Sequence, residues 1–511
     1  MISQKAKNFF QGVTAQQVLI LAALFAFILL FHARPVPDND EYQYLLRLSK
    51  QANPELLAND WTYSTTGNEH WLFNQIFGFL ARFLSIEFIG WAGRITSWIL
   101  LLLFILRLGK FWRIEFPKIA LSILLWLCLG QAVVGNEWMF GSFQAKVAAY
   151  VCLLAALTGF CKEKIISPAI LLGLAFSFHP SVGFWSIPAV GAALLFAGMP
   201  LASLLKVALI TGLFALPGVL PLLGSQINPG ANSAEDWQFI ALIRYPEYLD
   251  PFRFSKTTTF ALFLMLAFNF LALRRSQDFA LRFLLYFQLA LCFVFIFGVG
   301  LRIFEKFELL RFMPFRLFPL FTPLFFIFTA FYLYQKLEAK RSKLLVAVSA
   351  LLLIGWMNPV GKTYLQAEEN YRLWANGPGD LQTTFKWLAS ATAADAIIVQ
   401  PPLSRDTWYL SKRAQIASYS YPTYEHLGEW RSRIADLTGD LRISDSRFAP
   451  EEIDAAYNSL TPLQIEKIRA KYSATHLVSR AAYPYPVLFK TETYKVYDLN
   501  PDLSAIIENE R

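Results

Sequence analysis

The chain has 511 residues, of which 55% are hydrophobic, 16% aromatic and only 16% charged. A soluble domain normally carries about a quarter charged residues, so this composition argues against a soluble protein and favours one that resides in a lipid bilayer. The formal net charge of +9 is an excess that cytoplasmic loops of membrane proteins commonly carry. We expect no nucleic-acid partner, because neither a basic helix nor an aromatic stacking platform accompanies this charge.

The N-terminal segment is basic and is followed by an apolar run over about Gln17–Phe31. Because no small-x-small cleavage site follows this run, the sequence predicts an uncleaved anchor rather than a signal peptide. Lys5 and Lys7 put the N-terminus in the cytoplasm by the positive-inside rule. The acidic stretch that begins at Asp38 is therefore expected on the outer face of the membrane.

Further apolar segments approach the roughly 20 residues that cross a bilayer. They are expected near Phe88–Leu106, Lys118–Val134, Ala145–Phe160, Ile165–Phe178, Val182–Phe196, Leu201–Leu223, Thr257–Leu273, Phe279–Leu301, Phe315–Tyr334 and Leu344–Trp356. The amphipathic stretch Trp71–Leu84 is expected in the membrane interface. With the first span there are about eleven crossings, which puts the basic loops "CKEK" and "KLEAKRSK" in the cytoplasm and the C-terminus outside.

From about Asn358 the composition becomes that of a soluble domain. The stretches "DLQTTFKWLASA" and "LTPLQIEKIRAKY" are typical of helices, whereas "AIIVQPP", "THLVS", "YPVLF" and "TYKVYDL" are typical of strands. This alternation indicates a small α/β domain. The predicted organisation is a multi-pass transmembrane domain over residues 1–357 and an outward-facing α/β domain over residues 358–511.

Three carboxylates, Asp38, Asp40 and Glu41, follow the first apolar run. A structural interpretation makes Asp38 and Glu41 a capping box for the helix "EYQYLLRLSK", but it leaves Asp40 unexplained. Asp40 would lie in the first helical turn, where the helix dipole favours an ionised group that can accept a proton from a hydroxyl. Asp38 and Asp40 also form a D-x-D pattern, which could hold a divalent cation such as Mg²⁺ or Mn²⁺.

An acidic pair just after the first span resembles the GT-C superfamily of polytopic membrane glycosyltransferases. The stretch "NPELLANDW" is similar to a group of uncharacterised bacterial membrane proteins assigned to that superfamily, and "FKWLASATAADAIIVQPP", "KRAQIASYSYP" and "EWRSRIADLTG" resemble their outward-facing C-terminal domain. The resemblance implies a GT-C-like polytopic helical fold in the bacterial inner (plasma) membrane. It also implies transfer of a sugar from a polyprenyl-phosphate donor to an extracytoplasmic acceptor, which could be a glycan, a lipid or a protein. Asp40 matches the position of the catalytic base or metal ligand, and Glu41 is its neighbour.

An enzyme that uses a lipid phosphate needs cations on the side of its base. The outer loop "LRIFEKFELLRFMPFR" is basic where the positive-inside rule predicts few basic residues. Its cations are Arg302, Lys306, Arg311 and Arg316. They could clamp the donor phosphate, or they could snorkel or pair with the two glutamates of the loop.

Three further ionisable residues are candidates. Glu137 and Lys146 border another outer loop, where they could line the cavity or pair with each other. His179, at the end of an apolar segment, is either functional or a satisfied structural histidine. The rival function is that of a lipid or solute transporter, or of a scaffold for cell-surface polysaccharide assembly. Transporters often contain inverted repeats, of which the sequence shows no sign.

Overall fold

A computed structural model of the chain describes residues 14–65, 69–226, 232–337, 339–354, 368–373, 375, 377, 379–443, 446–447 and 449–500. The basic residues Lys5 and Lys7, the expected domain boundary at residues 357–358 and the C-terminus lie outside this part of the chain. The position of that boundary and the side of the membrane on which each terminus lies therefore remain predictions.

The first part of the chain is helical. Its helices are α1 (Ala15–His32), α2 (Glu41–Ala52), α3 (Trp61–Thr65), α4 (Trp71–Leu80), α5 (Ile86–Gly109), α6 (Phe116–Cys128), α7 (Ala145–Phe160), α8 (Ile166–Phe178), α9 (Pro180–Ala197), α10 (Leu201–Gln226), α11 (Ala234–Phe239), α12 (Pro246–Leu249), α13 (Lys256–Leu273), α14 (Phe279–Ile303), α15 (Phe307–Leu310), α16 (Phe318–Lys336) and α17 (Ala339–Ile354).

Among the described helices, seven are long and apolar enough to cross a membrane, namely α1, α5, α9, α10, α13, α14 and α16. Each of the expected spans overlaps a helix in the described part of the chain, but α6, α7, α8 and α17 have only 13 to 16 residues. At 1.5 Å per residue, such helices fall short of a 30 Å hydrocarbon core. The chain is therefore a multi-pass membrane protein, whereas the count of eleven crossings remains a prediction.

The helices differ in how their apolar side chains are covered. Helix α7 is buried along nearly its whole length. By contrast, α10 exposes a row of leucines that includes Leu205, Leu209 and Leu213. Helix α4 likewise exposes Ile76 and Phe79. Exposed apolar side chains of this kind carry no free-energy cost when they face lipid. The helical part therefore has a packed interior and an apolar outer surface that can face the bilayer.

The last part of the chain is a mixed α/β unit. Its elements are α18 (Asp380–Ala391), β1 (Ile397–Val399), α19 (Thr407–Ser411), β2 (Ala414–Gln415), α20 (Leu427–Leu437), α21 (Ala449–Asn458), α22 (Pro462–Tyr472), β3 (His476–Ser479), β4 (Val487–Lys490) and β5 (Lys495–Asp498). The five strands have the order β2-β1-β3-β5-β4, with β1 parallel to β2 and β3, and β5 antiparallel to β3 and β4. All the expected elements are present, and β2, α19, α20 and α21 are additional.

Asp60 fastens the α/β unit to the helical part. Its carboxylate, which is fully buried, accepts hydrogen bonds from the Trp408 indole N–H at 2.6 Å and from the Gln415 backbone N–H at 3.0 Å. It also accepts the Tyr63 backbone N–H at 3.0 Å. A buried carboxylate that is satisfied in this way links α19 and β2 to the loop before α3.

A second set of contacts joins the α/β unit to the segment between α10 and α13. The Arg244 guanidinium donates to the backbone carbonyls of Tyr419 and Ser420, both at 2.7 Å. Arg431 pairs with Asp236 at 2.6 Å. The α/β unit therefore rests on two loops that were both expected on the outer side of the membrane.

The opposite end of the bundle carries loops expected in the cytoplasm. There Arg113, which follows α5, pairs at 2.9 Å with Asp278, which precedes α14. Lys162 lies within electrostatic range of Arg107 and Lys110. The two sets of loops thus gather at different ends, as the predicted alternation requires, and which end faces the cytoplasm remains a prediction.

Candidate active site

The acidic loop after α1 leads directly into α2. Helix α2 begins at Glu41, and Asp40 precedes it without capping it through its side chain. The Asp38 backbone N–H donates to the Glu41 carboxylate at 3.1 Å, which is one half of the expected capping box. The other half is missing because the Asp38 carboxylate turns to Arg34, at 3.4 Å, and to the Asn39 amide, at 2.9 Å.

Glu41 is fully buried against Arg94 of α5. The Arg94 guanidinium donates to both carboxylate oxygens, in one case from Nε at 3.0 Å, and the Phe143 backbone N–H adds a third bond at 2.6 Å. Burial raises the pKa of Glu41, and the charge and hydrogen bonds of Arg94 oppose that rise. Glu41 therefore forms a buried, hydrogen-bonded ion pair with Arg94, and the catalytic role expected for it remains a prediction.

Asp40, by contrast, points its carboxylate to the surface, with 55% of the side chain exposed. Arg405 of the α/β unit lies 3.5 Å from this carboxylate and also donates to the Asn39 side chain at 3.2 Å. The Tyr421 hydroxyl donates to the Asn39 backbone carbonyl at 3.1 Å. Asn39 has φ of +48°, a left-handed conformation that asparagine tolerates better than most residues. The α/β unit thus holds this loop in place and leaves Asp40 accessible.

The two carboxylates of the D-x-D pattern do not form a metal site in this arrangement. Asp38 has Arg34 as its partner, and Asp40 has Arg405. Across the described ranges, no group of three or more His, Cys, Asp or Glu residues is placed to hold a metal ion. A cationic side chain beside each carboxylate is a poor fit for a shared divalent cation, and we therefore derive no step through a metal.

Three charged residues named from the sequence meet in one buried cluster. Glu137, which follows α6, pairs with Lys146 of α7 at 2.8 Å and with Arg316 at 2.7 Å. The Lys146 ammonium also lies 3.7 Å from the centre of the Trp138 ring. Burial alone would raise the pKa of Glu137, but the charges of Arg316 and Lys146 outweigh it and hold that pKa below its usual value. Two cations share one carboxylate, so the cluster carries a net positive charge.

A chain of polar side chains runs from this cluster towards α2. Arg316 donates to Ser181 at 2.7 Å and lies 3.4 Å from His179, the residue between α8 and α9. The His179 ring stacks on His70 at 4.8 Å, and His70 meets the Tyr44 hydroxyl at 3.1 Å. Burial, together with nearby arginine charges, lowers the pKa of His70 to about 3 and keeps this histidine neutral. His179 therefore connects the buried cations with α2.

The four cations of the basic outer loop have different surroundings, and their expected role as a phosphate clamp remains a prediction. Arg302 pairs with Asp250 at 3.0 Å, and Lys306 is exposed. Arg311 lies over the Trp237 ring at 5.3 Å. Of these four cations, Arg316 is the one that enters the buried cluster.

A crevice opens between α2 and the α/β unit, and its cavity volume is about 80 Å³. Its walls contain four tyrosines, Tyr44, Tyr245, Tyr421 and Tyr424. Three charged residues also line it, namely Arg47, Glu69 and Glu425. Concave sites with aromatic walls and a few polar groups are the usual form of ligand sites.

Asp40 lies close to this crevice. Burial raises the pKa of Tyr245 and of Tyr421, and the negative charge of Asp40 raises both further. Asp40 also lies within electrostatic range of Lys146 in the buried cluster. The exposed carboxylate, the crevice and the buried cations therefore share one end of the molecule.

Sequence reasoning did not single out Arg94, Arg405 or the four tyrosines. A weak signal for the tyrosines is the density of aromatic residues in "SYSYPTYEH", within an otherwise polar segment. No local pattern marks the two arginines, since their partners lie 53 and 365 positions away along the chain.

No known protein family matches the sequence of this chain, and no curated protein does. The structure, however, is similar to the crystal structure of the Archaeoglobus fulgidus oligosaccharyltransferase tethered with an acceptor peptide containing the NVT sequon via a disulfide bond. The TM-score is 0.54 and the sequence identity 13%, over 93% of this chain and 70% of that one. At 13% sequence identity, this similarity is evidence for a shared fold alone. The chain is thus a polytopic helical membrane protein that shares its fold with this oligosaccharyltransferase.

Proposed function

We propose that this protein is a membrane glycosyltransferase that moves a sugar from a polyprenyl-phosphate donor to an acceptor on the outer side of the membrane. The observation that carries the proposal is that an exposed carboxylate, Asp40, lies at the same end of the molecule as a tyrosine-lined crevice and a buried cluster of net positive charge. The GT-C-like fold supports it, because the solved structure that shares the fold is an oligosaccharyltransferase.

In the proposed reaction an acceptor hydroxyl attacks the anomeric carbon of the donor sugar. Asp40 accepts the proton of that hydroxyl as the new C–O bond forms. The bond from the anomeric carbon to the phosphate oxygen breaks, and the polyprenyl phosphate leaves with the bonding electrons. Arg316 and Lys146 provide the positive charge that favours this anionic leaving group.

Glu41 and Glu137 have supporting roles in this proposal. The Glu41–Arg94 pair fixes the start of α2 and so positions Asp40. Glu137 holds Arg316 and Lys146 side by side and leaves one positive charge uncompensated. A site in which charges are fixed before the substrate arrives spends little energy on reorganisation during the reaction.

The proposal is tested by replacing Asp40→Asn in the purified protein, reconstituted in nanodiscs. Transfer from a panel of polyprenyl-phosphate sugars, followed as release of polyprenyl phosphate, should fall by about 10²–10⁴-fold. The matched control is Asp440→Asn, since Asp440 is an exposed aspartate with φ of +64°, a conformation that asparagine accepts. This variant should keep full activity.

Undiminished transfer by the Asp40→Asn variant would remove Asp40 from the mechanism. Parallel assays with EDTA, and with Mg²⁺ or Mn²⁺ added back, decide whether Asp40 acts alone or through a metal. If no donor is consumed while a labelled lipid or solute crosses proteoliposomes that contain the protein, the transporter alternative replaces the proposed transferase.

A further inference from the structure

We propose that the tyrosine-walled crevice is the acceptor site, and that the acceptor is an uncharged saccharide rich in hydroxyl groups. This inference rests on the proposed glycosyl transfer and narrows its acceptor, which the fold alone leaves open among glycans, lipids and proteins. Three features of the crevice carry it, namely its walls, its charges and its position next to the loop that carries Asp40.

The aromatic walls are held in place before any ligand binds. The Tyr245 hydroxyl donates to the Ser420 carbonyl at 3.2 Å, and the Tyr44 hydroxyl is engaged with His70. The Tyr421 hydroxyl is bonded to the acidic loop, as described above. Fixed tyrosine rings cost little conformational entropy on binding, and the ring surface that borders the crevice can contact the C–H face of a pyranose ring.

The charges of the crevice suit a neutral ligand with many hydroxyls. Arg47 supplies one positive charge to the lining, whereas Glu69 and Glu425 supply carboxyl groups. Burial raises the pKa of Glu69, and the charge of Glu425 raises it further. Charged or protonated, these groups offer hydrogen-bond donors and acceptors to sugar hydroxyls. The lining has no excess of positive charge, so an anionic acceptor finds no compensation there.

The position of the crevice fits an acceptor better than a donor. The acceptor hydroxyl has to reach the catalytic base, and Asp40 acts electrostatically on Tyr44, Tyr245 and Tyr421. The donor phosphate needs cations, and the buried Arg316 and Lys146 lie outside the lining of the crevice. One wall of the crevice also belongs to the α/β unit, which thus takes part in recognition of the acceptor.

The experiment measures binding of soluble saccharides to the full-length protein in nanodiscs, without any donor. The neutral probes are maltotriose, cellotriose and N,N′,N″-triacetylchitotriose, and trigalacturonic acid is an anionic probe of similar size. Saturation-transfer NMR should detect at least one neutral trimer and not the anionic one. Tyr424→Ala should weaken binding of the neutral trimer by about 2–10-fold, whereas Tyr424→Phe, which keeps the ring, should bind nearly as the unmodified protein does.

Charge reversal gives a second, independent readout. Glu69→Lys should admit the anionic trimer, with about tenfold tighter binding than in the unmodified protein, which corresponds to 1.4 kcal/mol. Asp440→Lys, on an exposed turn of the α/β unit, is the matched control and should not change the preference. Melting temperatures identify any variant that fails to fold, and the comparison of neutral and anionic trimers on the unmodified protein needs no variant.

The inference is overturned if no neutral trimer binds, if the anionic trimer binds equally well, or if Tyr424→Ala leaves the affinity unchanged. Its failure can be told apart from failure of the proposed function, because binding is measured without transfer. If Asp40→Asn abolishes transfer but no saccharide binds, the proposed transferase function is supported and the assignment of the acceptor site is refuted. If saccharides bind but the protein consumes no donor, the crevice is supported as a saccharide-binding site and the proposed sugar transfer is refuted.

Discussion

The ion pairs at the two ends of the helix bundle differ in how deeply they are buried. At the end that carries the α/β unit, Glu41–Arg94 and Glu137–Arg316 are ion pairs whose side chains are at most 7% exposed. At the opposite end, Arg113 pairs with Asp278 but stays 75% exposed. Burying an ion pair costs several kcal/mol per ion in lost hydration, so proteins rarely keep one without a use for it. The difference indicates that the end with the α/β unit contains a preorganised functional site. The opposite end carries solvated charges of the kind that orient a membrane protein.

The largest effect on stability is expected from breaking the fully buried Glu41–Arg94 ion pair. Arg94→Ala leaves the Glu41 carboxylate buried without its partner, which should cost about 3–5 kcal/mol of unfolding free energy. Unfolding in SDS, followed by circular dichroism of the detergent-solubilised protein, measures this loss. A variant as stable as the unmodified protein would mean that Glu41 is solvated, and the contrast between the two ends would disappear.

A somewhat smaller loss of stability is expected from a substitution in the cluster of Glu137, Lys146 and Arg316. Glu137→Gln removes the carboxylate that Lys146 and Arg316 share, and should cost about 3 kcal/mol of unfolding free energy. Adding Lys146→Met should restore part of the loss, because one fewer cation is then buried without compensation. A double-mutant cycle measures the coupling between the two positions. A coupling of zero would show that these side chains do not act as a cluster.

The attachment of the α/β unit can be tested at Asp60. In Asp60→Asn an amide NH₂ group takes the place of one oxygen, so at least one of the donors from Trp408, Gln415 and Tyr63 loses its acceptor. The expected cost is about 1–3 kcal/mol. Hydrogen exchange around Trp408 and Gln415 should accelerate, while exchange in α7 stays slow. Unchanged exchange would indicate that Asp60 contributes little to docking.

The histidine between the crevice and the buried cluster predicts a dependence on pH. The ordinary pKa of 6.5 applies to His70 in the unfolded chain, whereas the folded protein lowers it to about 3. Between these values the unfolded state binds the additional proton, so stability falls as the pH is lowered from about 6.5 towards 3. The melting temperature should therefore drop over this range. His70→Gln should make the drop shallower, and an identical pH profile in that variant would contradict the assignment.

The smallest effect is expected at the opposite end of the bundle. Arg113→Ala removes an exposed ion pair, and such pairs contribute at most about 1 kcal/mol. The melting temperature, the binding of saccharides and the transfer of sugar should all stay as they are in the unmodified protein. A large loss of activity would show that this end takes part in function and would contradict the comparison from which these experiments start.

Much of the architecture could be predicted from local patterns. The apolar runs locate α1, the helices α5 to α10, and α13, α14, α16 and α17. The alternation after Asn358 locates α18, α22 and four of the five strands. The acidic loop before α2 also stood out, since carboxylates are rare where a span ends. Periodicity and composition act over a few neighbouring residues, so one sequence is enough to read them. The end of α6 was harder to predict: the apolar run continues to Val134 but the helix ends at Cys128, because apolar character does not determine where a helix ends.

By itself, the sequence determined that this is a membrane protein with an acidic loop after its first apolar helix, because those properties depend on composition and on near neighbours. Only the tertiary structure decided that Asp40 is accessible while Glu41, the next residue, is buried against Arg94. It also brought Glu137, Lys146 and Arg316 together and closed the crevice with tyrosines from the α/β unit. The physical reason is that burial and charge pairing depend on groups far apart in the chain, and their partners are chosen only when the helices pack.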